Sequence, residues 1–274
     1  MRICLALQGG GSFTAFTTGV LNNMKHIKFD SVSGTSGGAI QAALFVQNQQ
    51  LYTETSYEFW KSLAGRSFPA LMYFQQFIPE PLKMVDYSSA LQTEIEKFVQ
   101  FEEIRKSHVN LYIGATNLRT NEFVVWTNKN IDSKKLLSSC VIIPACNPVE
   151  IDGQFFVDGL WSQNPPISPF VQRQIPDEIW IVRIDATNLD DGDDTTSIPL
   201  TERKKQLFGN ISLENELHWL RMMMKHFPHH VTIREITLPA SEVGQFKKTN
   251  LTGQMFKRLV ELGSDISSDF LKNR

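Results

Sequence analysis

One serine in this sequence has the neighbours that a catalytic nucleophile needs. Ser36 lies in Gly34-Thr35-Ser36-Gly37-Gly38, which satisfies the pattern G-x-S-x-G and falls between a predicted strand and a predicted helix. In such a nucleophile elbow the serine takes a strained turn conformation, and its hydroxyl is presented above a sheet edge at a helix N-terminus. The pentapeptide alone is weak support, because turns rich in glycine and serine are common. Its context favours Ser36 as a nucleophile, with Gly34 and Gly38 as the small residues of the turn.

A second glycine-rich turn, Gly9-Gly10-Gly11, follows the first predicted strand and opens the first predicted helix. Backbone N–H groups at the start of a helix have no intrahelical acceptor and carry the positive end of its dipole. They could therefore stabilise an oxyanion that forms near the Ser36 hydroxyl. A dinucleotide-binding loop is the competing interpretation, but Thr14 replaces the third glycine and no acidic residue ends the second strand.

Two sources of a general base compete. Asp158 lies 122 residues after Ser36, at the end of a predicted hairpin, where a carboxylate can return to the sheet edge. A histidine could instead complete a triad in the chain order of the α/β-hydrolases, although in that fold several strands precede the elbow and here only two do. The candidates on or after a Met-rich predicted helix are His218, His226, His229 and His230. Surface or capping roles are commoner for such histidines, so Asp158 is favoured.

The predicted elements bring the two glycine-rich turns to one edge of a sheet. RICLAL and FDSVSG are short apolar runs typical of buried parallel strands. Apolar residues recur at spacings of three and four between residues 12 and 25, and AIQAALFVQNQQ predicts a second helix. Strand, helix, strand and helix form a βαβ unit, whose parallel strands end on the same side.

The rest of the chain continues an α/β pattern. Residues 52–107 predict a helical insert, in which FPALMYFQQFIPEPLKM could wall an acyl-chain slot, touch a membrane surface or form an ordinary core helix. Further strands are predicted at VNLYIGATN, NEFVVWT, DEIWIVRID and VTIREITL, with a hairpin at VEIDGQFFVDG. Helices are predicted near 132–140, from ERKKQ to about 226 and at 252–272.

Composition excludes several classes of protein. With 274 residues and 42% hydrophobic content, one α/β domain over residues 1–274 is expected. A net charge of −2 gives no field to attract nucleic acid. The apolar run at the N-terminus is too short for a signal peptide, and no window approaches a membrane span. Three cysteines without a metal-binding pattern fit a reducing cytoplasm. We expect no cofactor and no metal.

Three segments in this order, QGGGSFTAFTTGVL, SGTSGGAI and IDGQFFVDGLWSQNP, resemble the patatin-like phospholipase family. The similarity continues through YEFWKSL, IGATNLRTNEF, ACNPVEIDG and EIWIVRID, so it covers most of the chain. The resemblance implies a three-layer α/β/α sandwich with a mostly parallel central sheet and a Ser36/Asp158 dyad without histidine. It also implies an oxyanion hole built around Gly9, Gly10 and Gly11, and hydrolysis of carboxylic esters in lipids.

The sequence departs from the family pattern at three positions. The family often reads GGG-x-[RKH]-G in the loop and D-G-[GA] at the base, where this chain has Phe13, Thr14 and Leu160. These changes are expected to reshape the oxyanion loop or the substrate mouth and to leave the dyad intact. Two alternative functions remain: a transacylase with the same dyad, or a weakly active lipid- or partner-binding module. The expected partner is a lipid or acyl ester, with peripheral contact at a membrane surface also open.

Overall fold

The strands that the sequence predicts form one mixed sheet. The computed structural model describes residues 1–64, 87–143, 146–185, 200–243 and 252–274, and within those ranges the sheet has eight strands. They are β1 (Ile3–Leu7), β2 (Ser31–Gly34), β3 (Asn110–Asn117), β4 (Phe123–Thr127), β5 (Val149–Ile151), β6 (Gln154–Asp158), β7 (Glu178–Arg183) and β8 (Thr232–Thr237). The order is β5-β6-β3-β2-β1-β7-β8, and β4 also pairs with β3.

The centre of the sheet is parallel, and its margin next to β3 is antiparallel. Strands β3, β2, β1, β7 and β8 run parallel to one another, whereas β4 and β6 each run antiparallel to β3. Leu7 pairs with Gly34, so β1 and β2 end side by side. Because β6 runs antiparallel, its last residue, Asp158, pairs with Ala115 near the end of β3. The three sequence segments of interest therefore meet at one sheet edge.

Helices cover both faces of the sheet. They are α1 (Ala15–Asn22), α2 (Gly37–Gln47), α3 (Tyr52–Ala64), α4 (Ser88–Phe98), α5 (Phe101–Lys106), α6 (Ser133–Ser138), α7 (Ser168–Arg173), α8 (Leu200–Met223), α9 (Ala240–Val243) and α10 (Gly253–Lys272). Successive residues of β1 face opposite layers. Leu5 packs in the core under α1, α2 and α10, and Ala6 packs in the core under α7 and α8. The expected three-layer α/β/α architecture is confirmed.

Two features of the helices differ from the sequence prediction. The helix expected from Ser12 begins as a 3-10 turn over Gly11–Thr14 and becomes α-helical at Ala15. The N–H of Phe13 donates to the carbonyl of Gly10, so the chain winds tightly as it leaves the glycine loop. Helices α7 and α9, of six and four residues, are too short to show an apolar repeat and were not predicted.

The predicted helical insert is present where the structure describes it. Helices α3, α4 and α5 occupy its two ends, whereas the candidate wall FPALMYFQQFIPEPLKM lies outside the described residues. In the described part of the chain no helix is both long enough and apolar enough to cross a membrane. The single domain over residues 1–274 stays a prediction.

Candidate active site

Ser36 occupies a strained turn between β2 and α2. Its backbone has φ 57° and ψ −130°, a region that residues other than glycine rarely adopt and that is found at functional sites. The N–H of Ser36 donates to Oγ of Ser139 at 3.0 Å, and the thiol of Cys140 donates to the Ser36 carbonyl at 3.3 Å. Burial raises the pKa of this thiol well above its ordinary value, which keeps it a neutral donor. The two residues that follow α6 thus hold the strained backbone.

Close packing explains the glycines of this turn. A β-carbon on Gly38 would overlap the carbonyl oxygen of Leu7, and one on Gly34 would overlap the carbonyl oxygen of Gly38. Helix α2 can start this close to the ends of β1 and β2 only without those side chains. Both glycines therefore serve to seat the Ser36 turn against the sheet.

Asp158 is fully buried at the end of β6, beside the Ser36 side chain. One carboxylate oxygen, Oδ1, accepts the N–H of Leu160 at 2.8 Å. The other, Oδ2, accepts no hydrogen bond from any described residue. Burial raises the pKa of Asp158 to about 7, against the opposing effects of the Leu160 N–H and the Ser36 hydroxyl. A carboxyl group with this pKa can take up and release a proton near neutral pH.

None of the histidines shares this site. His229 lies at the opposite sheet edge, where it contacts Asp177 and the carbonyl of Pro176 before the start of β7. His218 is exposed on α8, and His226 and His230 are exposed after it. All six histidines fall within the described ranges, and none of them hydrogen-bonds to Ser36 or Asp158 there. The geometry favours the carboxylate over the histidine alternative.

The glycine loop passes directly beside the nucleophile. A β-carbon on Gly9 would lie 2.7 Å from Cβ of Ser36 and 2.6 Å from the carbonyl oxygen of Thr35. The N–H of Gly9 donates to Oδ1 of Asn164 at 2.7 Å, so this amide is not free to bind an oxyanion. The amides of Gly10 and Gly11, in contrast, have no acceptor among the described residues. Of the three expected donors, two are therefore available, and Gly9 anchors the loop.

Two buried amide side chains that sequence reasoning missed fix the position of the loop. Asn164 bridges Gly9 and the carbonyl of Gly209 on α8, its Nδ2 lying 3.2 Å from that oxygen. Gln8 donates to the same carbonyl and accepts the N–H groups of Ile184 and Asp185 through Oε1. Asn164 lies within the segment that carries the family resemblance, but no motif or spacing distinguishes a bridging amide from a surface one.

The departures from the family pattern have structural explanations. Phe13 does not line a substrate mouth: it is buried in the core under α1 and α2. An arginine there would bury an unpaired cation in an apolar layer. Thr14 replaces a glycine, and its hydroxyl donates to the carbonyl of Gly11 at 2.7 Å, which supports the loop. Leu160 contributes the N–H that Asp158 accepts.

Comparison with known proteins identifies the family. The model for patatin-like phospholipases matches residues 5–171, which is more than half of the chain. The chain therefore belongs to the patatin-like phospholipase family. Comparison with curated protein sequences gives no significant match.

Two solved structures match this chain at low sequence identity. VipD from Legionella pneumophila is 12% identical, with a TM-score of 0.52 over 99% of this chain and 67% of the VipD chain. ExoU from Pseudomonas aeruginosa, solved in complex with SpcU, is 13% identical, with a TM-score of 0.39 over 98% of this chain and 52% of that chain. At 12% identity the likeness to VipD concerns the fold alone.

Asn164→Ala should lower kcat by about 10- to 100-fold, because it frees the anchored amide of Gly9 and lets the oxyanion loop move. The matched control is Asn128→Ala at the opposite edge. Asn164 bridges two backbone groups, and Asn128 bridges three, at Leu111, Ile104 and Val109. Both variants should lose about 1–3 kcal/mol of unfolding free energy in urea titrations. Only Asn164→Ala should lose turnover of a short-chain ester, and equal turnover in the two variants would contradict the anchoring role.

Proposed function

We propose that this protein is a lipid acyl hydrolase that uses Ser36 as nucleophile and Asp158 as general base. The observation that carries the proposal is the buried Asp158 carboxyl, which has one oxygen without a hydrogen-bond partner in the described structure and lies beside the Ser36 hydroxyl. The free amides of Gly10 and Gly11 complete the set of groups that acyl transfer needs. Family membership supports a lipid ester as the substrate.

The first half of the reaction forms an acyl-enzyme. Asp158 accepts the proton of the Ser36 hydroxyl while Oγ attacks the ester carbonyl carbon. Negative charge moves to the carbonyl oxygen, which the N–H groups of Gly10 and Gly11 stabilise. The tetrahedral intermediate collapses, the C–O bond to the alcohol breaks, and the leaving alcohol takes the proton back from Asp158.

The second half of the reaction releases the acid. Water replaces the alcohol, Asp158 removes a proton from it, and the water oxygen attacks the acyl carbon. Collapse of the second tetrahedral intermediate restores the Ser36 hydroxyl and frees the fatty acid. A transacylase would follow the same steps with an alcohol in place of water.

The proposal is tested by product analysis on a lipid panel. Purified protein is incubated with phospholipids, lysophospholipids and acylglycerols, and products are quantified by mass spectrometry with Ser36→Ala as the blank. Free fatty acid that appears only with the wild type supports hydrolysis. Acyl transfer to an added alcohol without free acid would assign a transacylase, and no product from any lipid would favour a binding module.

Gly11→Ala should lower kcat by about 10²–10³-fold, comparable to the loss of one oxyanion donor. In the proposed mechanism the substrate carbonyl binds at the Gly11 N–H, so a β-carbon there would lie beside it, and the φ of 57° strains any side chain. Gly153→Ala is a matched control: it has φ 75° in the hairpin turn, and its β-carbon would meet nothing within 4 Å. The control should have wild-type kcat, and full activity of Gly11→Ala would move the oxyanion hole elsewhere.

A further inference from the structure

Helix α8 has two apolar faces, and only one of them is buried. Leu213, Leu217 and Leu220 pack against the sheet. A second set of apolar side chains, called here the outer stripe, is exposed: Leu207, Phe208, Ile211, Trp219, Met222 and Met223. At 100° per residue the six positions fall within an arc of about 160° on the opposite side of the helix. A surface helix ordinarily has polar residues on that side, so the stripe requires an explanation.

The outer stripe adjoins the candidate active site. Trp161, three residues after Asp158, is exposed and packs edge-to-face on Phe208 with ring centroids 5.8 Å apart. One residue further along, the carbonyl of Gly209 accepts hydrogen bonds from Gln8 and Asn164, which hold the oxyanion loop. The apolar residues thus begin next to the site and recur along α8 over about 24 Å, with the exposed polar residues Asn215 and His218 between Ile211 and Trp219.

The charges of α8 fit an anionic surface. Glu214 pairs with the buried Arg183 at 2.8 Å. Glu216 accepts the side chain of Gln163 and the N–H groups of Ile167 and Ser168. Both carboxylates therefore have partners within the protein, although the Glu214 side chain is 42% exposed. Near the C-terminal end of the helix, the exposed cations are Arg221 and Lys225, for which the described structure has no ion-pair partner. The outward side therefore combines apolar and positive groups.

We propose that the outer stripe, with Trp161, is the surface by which this protein docks on an anionic lipid bilayer. Helix α8 lies in the plane of the interface, with its stripe among the acyl chains and Arg221 and Lys225 at the headgroups. The choice of a bilayer over a protein partner rests on the proposed function, because a lipid ester has to reach the site beside Trp161. It also rests on the combination of exposed apolar side chains with the exposed cations Arg221 and Lys225.

Vesicle binding tests the proposal without catalysis. The Ser36→Ala protein, which leaves lipid intact, is sedimented with vesicles of phosphatidylcholine and phosphatidylglycerol at 70:30 and with pure phosphatidylcholine. Adding Ile211→Gln, Trp219→Gln and Met222→Gln should weaken binding to the mixed vesicles at least tenfold. Leu51→Gln is the matched control, because Leu51 is 57% exposed and Ile211 is 55% exposed. Leu51 lies after the C-terminal end of α2, whereas Ser36 lies at the N-terminal end of that helix. The control should bind like the parent protein.

A charge variant provides a second measurement. Arg221→Gln with Lys225→Gln should weaken binding to the mixed vesicles about threefold or more, and should leave the weaker binding to pure phosphatidylcholine unchanged. Thermal unfolding of every variant should match the parent, since all the altered side chains are exposed. Equal vesicle binding by the triple variant and Leu51→Gln would overturn the proposal. Loss of self-association instead of vesicle binding would also overturn it and would assign the stripe to a second copy of the chain.

Failure of docking and failure of catalysis are distinguishable. With Ser36 present, the triple variant should hydrolyse soluble p-nitrophenyl butyrate at the wild-type rate and lose hydrolysis of vesicle lipid. If the wild type hydrolyses neither substrate while Ser36→Ala still binds vesicles through the stripe, the proposed function fails and the docking surface stands. If both substrates are hydrolysed equally by the wild type and the triple variant, the docking surface fails and the proposed function stands.

Discussion

Replacing Ser36 with alanine is expected to abolish ester hydrolysis and to leave the fold intact. The change removes the attacking oxygen, and the losses known for serine nucleophiles in acyl transfer are on the order of 10⁴–10⁶ in kcat. Folding should survive, because the turn is held through the backbone by Ser139 and Cys140 and not through the Ser36 hydroxyl. The measurement is initial rates on p-nitrophenyl butyrate together with thermal unfolding.

The control for that variant is a nearby serine with a structural role. Ser138 lies at the end of α6, and its hydroxyl accepts the indole N–H of Trp126. Ser138→Ala should cost stability and leave kcat close to wild type. A Ser36→Ala protein that kept more than about 1% of wild-type kcat would require a different nucleophile.

Asp158→Asn should lower kcat by about 10³–10⁴-fold, because an amide cannot accept the proton of Ser36. The wild type should show activity that rises with pH through about 7 and then levels off, since the carboxyl group must lose its proton to act as base. The variant should have a low, flat profile over the same range. A single histidine variant as inactive as Ser36→Ala would replace the dyad by a triad.

The same substitution should stabilise the protein at alkaline pH. The pKa of Asp158 is about 7 in the fold against a reference value of 3.8, so its contribution to stability is fully present below about pH 4 and is lost as pH rises through 7. Asparagine removes the buried charge. The unfolding free energy of Asp158→Asn relative to that of the wild type should therefore increase by roughly 2–3 kcal/mol between pH 5 and pH 9.

Urea titrations at several pH values measure that difference. Asp152→Asn, at the exposed hairpin turn with φ 52°, is the matched control and should change neither turnover nor the pH dependence of stability. A parallel pH dependence in wild type and Asp158→Asn would mean that Asp158 does not carry the buried charge.

Local sequence signals were sufficient for the parts of the site that are built from turns. The motif Gly-x-Ser-x-Gly between a predicted strand and a predicted helix indicated that Ser36 lies in the turn between them. The pair Asp152-Gly153 predicted the hairpin that ends at Asp158. Both residues of that hairpin turn have positive φ, 52° and 75°, as a two-residue hairpin turn requires. These signals act over a few residues, so one sequence can reveal them.

Other parts depend on distant contacts and left no local signal. Asn164 anchors a loop 155 residues away, and Ser139 holds the Ser36 turn across 103 residues. Phe13 was expected to reshape either the oxyanion loop or the substrate mouth, because its place in the sequence does not show that its side chain packs in the core. On α8 the apolar residues surround much of the helix, so periodicity could not tell the buried leucines from the outer stripe.

Covalent labelling with a fluorophosphonate tests whether Ser36 is the nucleophile and Asp158 its general base. The probe reacts with an activated serine, and peptide mass spectrometry then locates the adduct. We expect a single adduct on Ser36 in the wild type, which forms faster as pH rises through about 7 and is strongly slowed in Asp158→Asn. An adduct on another serine, or labelling of Ser36 at equal rates in the wild type and Asp158→Asn, would contradict these roles.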